Sequence, residues 1–388
     1  MISPAVEFSN PEADPTSHIV SRKMASAKDR SMDESSMDLK KIMAMIGAFY
    51  WLVMTALIVP VACVATCILF VTPLLLFSRP LFNKWEHRVC RMVNDHWVSA
   101  GQYTGLNVVE YGDDIGKISD KRCLFLANHL GLVDHFILMT SMHNKYNLTG
   151  RYLWVIYNIW KYTPLGMMWT AHGNFFVNGG ASKRASVLQT FREHLRSQYW
   201  KQDYGFVVMY PEGSRLFLIK DSSARFAEKN GLQPLKHCAH PRTGAAHAVL
   251  SECGPQPGCE NPIEYIVDCT LGYPKGEVVE LGKAMTGEWP NNDTTVSVHY
   301  RIHKADPAWA DEKELQKWLY ARYEEKDQLL DEFYRTGRFG EDSRPVFFPF
   351  SRAILVQIFW VALFYGHYLL WMKPLTVLSY RLLIALLF

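Results

Sequence analysis

His129 and Asp134, in Asn128-His129-Leu130-Gly131-Leu132-Val133-Asp134, are the pair in this chain best able to move a proton. A carboxylate behind an imidazole fixes its tautomer and stabilises the imidazolium that forms when a proton is taken, which makes a general base at neutral pH. On one regular helix, five residues at about 100° each would set the two side chains about 140° apart, so they would not meet. The pair works only if the chain bends, with His129 at a strand end, Asp134 at a helix start and Gly131 permitting the turn. The apolar run Cys123-Leu124-Phe125-Leu126 just before it supplies the strand. With 14 histidines in the chain, the same spacing also arises by chance, as a turn histidine and a helix N-cap.

A second block, Pro211-Glu212-Gly213-Ser214-Arg215, follows the apolar run Phe206-Val207-Val208-Met209-Tyr210. A buried strand ending in such a loop brings backbone N–H donors and a guanidinium to one sheet edge. Arginine pairs bidentately with phosphate, so the block reads as an anion site; the plainer reading is a turn with a surface salt bridge. A third block, Gly173-Asn174-Phe175-Phe176-Val177, follows the Met- and aromatic-rich stretch Tyr162 to Trp169. Such density is more often core than pocket, but in a protein that handles acyl chains it equally lines a hydrophobic slot.

These blocks sit in a middle region that alternates strand-like and helix-like runs. Strands are expected over Cys123–Leu126, Phe206–Tyr210, Tyr265–Leu271 and Val296–His303, the last with period-two alternation. Helices are expected over Ala185–Trp200 and Glu312–Arg335, the latter stopping at Gly337. Interleaved strands and helices make this an α/β sandwich.

At 388 residues the chain can bury a full core. A net charge of +3, with no basic cluster interleaved with aromatics, argues against nucleic acid as a partner. The eight cysteines are scattered, with no Cys-x-x-Cys pair, which argues against zinc and suits a reducing compartment. Residues 1–39 lack apolar periodicity and are expected to be a disordered cytosolic tail. Ile42 to Phe77 then runs for 36 residues without a charge, more than the roughly 20 of one spanning helix. Pro60 in its middle marks a kink or the apex of a re-entrant hairpin. Lys40 and Lys41 precede this run, and Arg79, Lys84, Arg88 and Arg91 follow it; basic residues on both sides favour a hairpin or in-plane segment with both ends cytosolic. The C-terminal run Ala353 to Trp371 and the tail from Pro374 repeat the apolar theme with an aromatic belt. The expected organisation is a tail (1–39), an N-terminal membrane segment (40–78), a catalytic domain (79–346) and a C-terminal membrane segment (347–388).

Together and in this order, the three blocks resemble those of the glycerophospholipid acyltransferase family: Asn-His-x4-Asp, Gly-x-x-Phe and Glu-Gly-Ser/Thr-Arg. The resemblance runs from about residue 45 to the C-terminus. It is nearest to the acyl-CoA:lysophosphatidylglycerol acyltransferase branch, through Gly112-Asp113-Asp114-Ile115, Arg225-Phe226-Ala227-Glu228-Lys229-Asn230, Pro241-Arg242-Thr243-Gly244-Ala245, Trp318 to Asp327 and Phe333 to Gly337. It implies an acyltransferase-type αβ sandwich with a mixed central sheet, flanked by membrane-associated helices. It also implies transfer of a fatty acyl group from acyl-CoA, a co-substrate, to a free hydroxyl of a lysophospholipid at a lipid bilayer, without cofactor or metal. His129 would then be the base and Asp134 its orienter. Asn128, Gly173, Phe176, Glu212, Gly213, Ser214 and Arg215 would bind substrate. Since acyl-CoA is made in the cytosol, the catalytic domain is expected on the cytosolic face of the endoplasmic reticulum, with the sequons at Asn147 and Asn292 unused.

One departure stands out. The family's second block carries an arginine just after the phenylalanine pair, and here that place holds Asn178. Either Lys183 or Arg184 reaches back to replace it, or phosphate contact is weaker. A neutral acceptor such as monoacylglycerol, a CoA-independent transacylase and a non-catalytic lipid-binding scaffold are the competing readings.

Overall fold

The computed structural model describes residues 39–387 apart from 146 and 179, so all but the last residue of the expected tail lies outside the described residues. Through the middle of the chain runs an eight-stranded sheet. Its strands are β1 (Asn107–Gly112), β2 (Cys123–Ala127), β3 (Tyr152–Tyr157), β4 (Phe175–Val177), β5 (Phe206–Met209), β6 (Tyr265–Gly272), β7 (Thr295–Lys304) and β8 (Arg344–Val346). Their spatial order is β4-β3-β5-β2-β6-β7-β1-β8. From β4 to β6 all neighbours are parallel; β7 runs against β6, β1 runs with β7, and β8 runs against β1. The expected α/β sandwich with a mixed central sheet is the observed fold.

The four expected strands are β2, β5, β6 and β7, each within one residue at either end. Every residue of β2 and β5 is buried, because helices cover both faces of the sheet and leave no side for polar groups. The helices are α1 (Leu39–Leu76), α2 (Arg79–Val98), α3 (Asp134–Met142), α4 (Pro164–Ala171), α5 (Arg184–Gln198), α6 (Leu216–Lys229), α7 (Thr243–Cys253), α8 (Glu312–Thr336) and α9 (Phe350–Leu387). Phe125, Trp154 and Val208 point into the layer shared with α1 to α4. Leu124, Val207 and Met209 point the other way, against α5, α7 and α8.

Helix α8 is tied beneath β6 and β7 by charge as well as packing. Lys326 is fully buried and meets Asp268 at 2.7 Å, while Arg301 takes the other oxygen of that carboxylate, also at 2.7 Å. Burial pushes Asp268 up, but the two cations outweigh it and hold the group below the usual carboxylate range. The Asp311 side chain caps the start of α8, and Gly337, at φ +79°, ends it.

The N-terminal run departs from the hairpin alternative. No hairpin forms at Pro60, which keeps helical angles (φ −62°, ψ −39°) within one continuous 38-residue helix. Proline cannot donate its i→i−4 bond, and the ladder downstream is wound as a π-helix over Val61–Val71. Thr66 and Thr72 hydroxyls donate to the carbonyls of Val61 and Cys67, at 2.7 and 2.9 Å. The C-terminal run is likewise a single 38-residue helix that passes through Pro374. Both helices are long and apolar enough to cross a membrane. They touch each other through the Tyr50 hydroxyl on Gln357, at 2.9 Å.

Candidate active site

Parallel strands β2, β5 and β6 end at one edge of the sheet, the place where open α/β sheets bind ligands. Just beyond β2, the Asn128 amide donates to the Leu271 carbonyl at 3.0 Å and accepts from the Leu271 N–H at 2.7 Å. It acts as one more rung between β2 and β6. Asn128, expected among the substrate-binding residues, is fully buried and spent on this brace, so its role is to place His129.

The chain then turns through Leu130 to Val133 and enters α3 at Asp134. Gly131 is required by close approach, since a Cβ there would stand 2.6 Å from the Val278 side chain. Asp134 is completely buried. Its Oδ2 accepts from His129 Nδ1 at 2.8 Å, Leu130 N–H at 2.7 Å and Gly131 N–H at 3.0 Å. Its Oδ1 accepts from the Tyr273 hydroxyl at 2.7 Å. Four donors therefore fix the carboxylate. Because Nδ1 faces Asp134, Nε2 is the ring nitrogen left for a substrate, and the His129 side chain keeps 13% of its surface exposed against 0% for Asp134.

An aromatic wall backs the imidazole. Tyr210 stacks on His129 with ring centroids 4.1 Å apart and planes 16° from parallel. His135 lies behind, edge-on to His129 at 5.7 Å and against Trp154, Trp160 and Trp169. The sequence pattern gave it no more than a helix face. Burial pushes His135 down to about 3, so it stays neutral and does not oppose a charge on His129.

The second block clamps the backbone of His129. Glu212 is fully buried, accepting from His129 N–H at 3.0 Å through one oxygen and from Ala239 N–H at 3.1 Å through the other. On the other side of His129, the Leu216 N–H donates to its carbonyl at 2.8 Å. Asp327 of α8 accepts the N–H groups of Lys236 and His237, at 3.0 and 2.6 Å, and so holds the segment that ends at Ala239. Glu212 thus braces the site rather than facing a ligand. Burial pushes its carboxyl up to about 8, against the pull of the two N–H donors and Lys326.

Gly213, Ser214 and Arg215 remain at the rim. Arg215 is half-buried and sits at the N-cap of α6 with its guanidinium 5.0 Å from the Phe217 ring centroid. Among the described residues, no carboxylate pairs with it. The third block divides. Phe176 pairs with Ile156 and packs against the layer that carries Phe125 and Trp154. Gly173 is not brought to the site. It lies two residues before the Phe175–Val155 pair, level with Leu124 and about 16 Å along the strand direction from His129. Its φ of +84° makes the turn into β4, with a Cβ position 2.6 Å from the Tyr204 hydroxyl. Among the described residues no group of three or more His, Cys, Asp or Glu side chains is arranged to hold a metal.

The Acyltransferase family model covers residues 107–259, and the Acyltransferase C-terminus model covers 291–360. A Caenorhabditis elegans protein, acl-12, provisionally named a 1-acyl-sn-glycerol-3-phosphate acyltransferase, is 50% identical over 361 residues, spanning 91% of this chain and 92% of its own. The chain belongs to the glycerophospholipid acyltransferase family. Acyl-CoA:lysophosphatidylglycerol acyltransferase 1 of mouse and of human are 33% and 32% identical over 255 residues, covering 62% of this chain and 68% of theirs. A crystal structure of the 1-acyl-sn-glycerophosphate acyltransferase of Thermotoga maritima overlays 78% of this chain and all of that one, at 14% identity and a TM-score of 0.46.

In this acyltransferase, residues 260–290 fall between the two family matches, and Tyr273 lies there. Sequence reading missed Tyr273, Tyr210 and Asp327; the one available signal was that Tyr210 directly follows the buried apolar run of β5. Tyr273→Phe leaves Asp134 Oδ1 buried without its donor, and kcat/KM is expected to fall about 10- to 100-fold with the fold intact. Steady-state kinetics alongside thermal unfolding checks this. Glu212 gives a pH test. Its carboxyl in the folded protein sits at about 8, above its ordinary 4.5, so its stabilising proton is fully held below the ordinary value and lost as pH rises through the folded one. Relative to Glu212→Gln, which does not titrate, the wild-type Tm is expected to decline from about pH 5 to about pH 8. A pH-independent gap in Tm contradicts the assignment.

Proposed function

We propose that this protein is a membrane-bound acyl-CoA:lysophospholipid acyltransferase of the endoplasmic reticulum, acting at the cytosolic face. The observation that carries the reading is the His129–Asp134 pair, locked on its Nδ1 side and open at Nε2. Nε2 takes the proton of the acceptor's glycerol hydroxyl as that oxygen attacks the thioester carbonyl. The C–O bond forms, the tetrahedral intermediate collapses, the C–S bond breaks, and CoA leaves as thiolate, to be reprotonated by the imidazolium or by water. The fixed carboxylate stabilises the imidazolium without having to reorient. The N–H groups of Ser214 and Arg215 are assigned to the developing oxyanion, the Gly213 N–H being held by the Tyr210 carbonyl at 3.0 Å, and the Arg215 side chain to the acceptor's phosphate.

CoA thiolate is a good leaving group, so the reaction needs no covalent acyl-enzyme. The only side-chain hydrogen bond to the His129 ring among the described residues comes from Asp134, and none from a serine or cysteine. The names of the relatives above support a lysophospholipid acceptor. They differ in the one they specify, phosphate in one case and phosphoglycerol in the other. The two long apolar helices support the membrane setting. A cytosolic face agrees with eight free cysteines and with the burial of Leu148 and Thr149, which closes the sequon at Asn147.

His129→Ala and Asp134→Asn are each expected to lower kcat about 100- to 10,000-fold while membrane association persists. Arg215→Ala is expected mainly to raise the KM for the lysophospholipid. Purified protein given acyl-CoA and a panel of lysophospholipids, with thiol release followed, reads both effects. Near-normal turnover in either of the first two variants overturns the proposal.

A further inference from the structure

Three helices start around the second block, and each opens on an arginine. Arg184 is the first residue of α5, Arg215 the N-cap of α6 and Arg242 the N-cap of α7. A helix N-terminus carries partial positive charge, so a cation there is unfavourable unless an anion joins it. The three ends are tied together. The Arg242 N–H donates to the Pro211 carbonyl at 2.7 Å, fastening the start of α7 to the second block. The Arg242 side chain lies across Gly213, where a Cβ would stand 3.3 Å from its Cδ and Nη1. Gly244 lets α5 close in on α7, since a Cβ there would be 2.9 Å from Leu188.

None of the three guanidiniums pairs with a carboxylate among the described residues, whereas other arginines of the catalytic domain do, Arg122, Arg196 and Arg301 among them. Partial burial and the nearby Arg184 charge both hold Arg242 below the usual guanidinium range. At the same helix start, Thr243 is 6% exposed and its hydroxyl has no partner among the described residues. Arg184 and Arg242 keep their side chains exposed, so an anion at this helix start can reach both guanidiniums and the Thr243 hydroxyl's end of α7.

We propose that Arg242, with Arg184 and the N-terminus of α7, forms with Arg215 a subsite for a phosphate ester, supplying cations in a chain whose second block carries Asn178 in place of an arginine. This rests on the function proposed above and deepens it: the site selects substrates by a phosphate ester, so monoacylglycerol is disfavoured. The phosphate belongs either to the acceptor's head group or to CoA.

The test uses full-length protein in detergent and measures binding by calorimetry, so it does not depend on turnover. Ligands are lysophosphatidylglycerol, monoacylglycerol and CoA. The variants are Arg242→Gln, Arg184→Gln and the pair together, with Lys229→Gln as a charge-matched control. Arg242→Gln is expected to weaken one phosphate ligand about 10-fold or more, the double variant further, with monoacylglycerol and the control unchanged. Weakening confined to lysophosphatidylglycerol places the acceptor's head group here; weakening confined to CoA places the donor's phosphates here. Kd values within twofold of wild type for both phosphate ligands overturn the subsite. Wild-type protein that binds these ligands but releases no CoA overturns the acyl-transfer reading instead, and leaves the subsite result standing.

Discussion

The immobility of one buried carboxylate underlies the rest of this structure. Asp134 has no exposed surface, and an isolated charge there would be costly; four donors make it tolerable. Two of those donors are backbone N–H groups of the loop between His129 and Asp134. The motif therefore folds back on itself, and its spacing is the length of chain that such a turn needs. The third is the imidazole, and the fourth is Tyr273, which enters from the neighbouring strand 139 residues further along the chain.

Everything around the pair serves to keep that geometry. Asn128 extends the β2–β6 ladder by one rung, Glu212 and Leu216 grip both sides of the His129 peptide, and Tyr210 covers one ring face. Glu212 is in turn held by the segment that Asp327 anchors to α8. The same helix is pinned under the sheet by Lys326 and Asp268. A contact in the C-terminal part of the domain is thus mechanically linked to the base. Behind His129, the layer between the sheet and helices α1 to α4 is packed and aromatic, with Trp154 and Trp169 fully buried, which strengthens the electrostatics of the pair.

Much of this was legible in the sequence, for physical reasons. Strands β2 and β5 are buried on both faces and so appear as unbroken apolar runs, β6 as a run broken only by Asp268 and Thr270, and α8 is bounded by strong caps at Asp311 and Gly337. The His129–Asp134 pair was legible because only a bent chain lets those side chains meet. Contacts distant in sequence were not. Nothing local marks Tyr273 as a partner of Asp134, Arg242 as a neighbour of Gly213, or Asn128 as a brace rather than a ligand. Gly173 was assigned to the site through the family's Gly-x-x-Phe block, yet β4 runs parallel to β2 and sets it at the far end. At Pro60 the proline rule left a kink or a hairpin apex open, and π-winding and threonine hydroxyls keep the helix continuous, without a hairpin.

In the proposed mechanism the locked pair implies direct transfer: the acceptor hydroxyl, deprotonated by His129, would be the nucleophile, and the protein would never carry the acyl group. Mixing purified protein with acyl-CoA alone, and following free thiol together with the intact protein mass, tests that most directly. The account predicts no burst of thiol and no added acyl mass until a lysophospholipid is supplied. A burst stoichiometric with enzyme, with the acyl group retained on the protein, would contradict it.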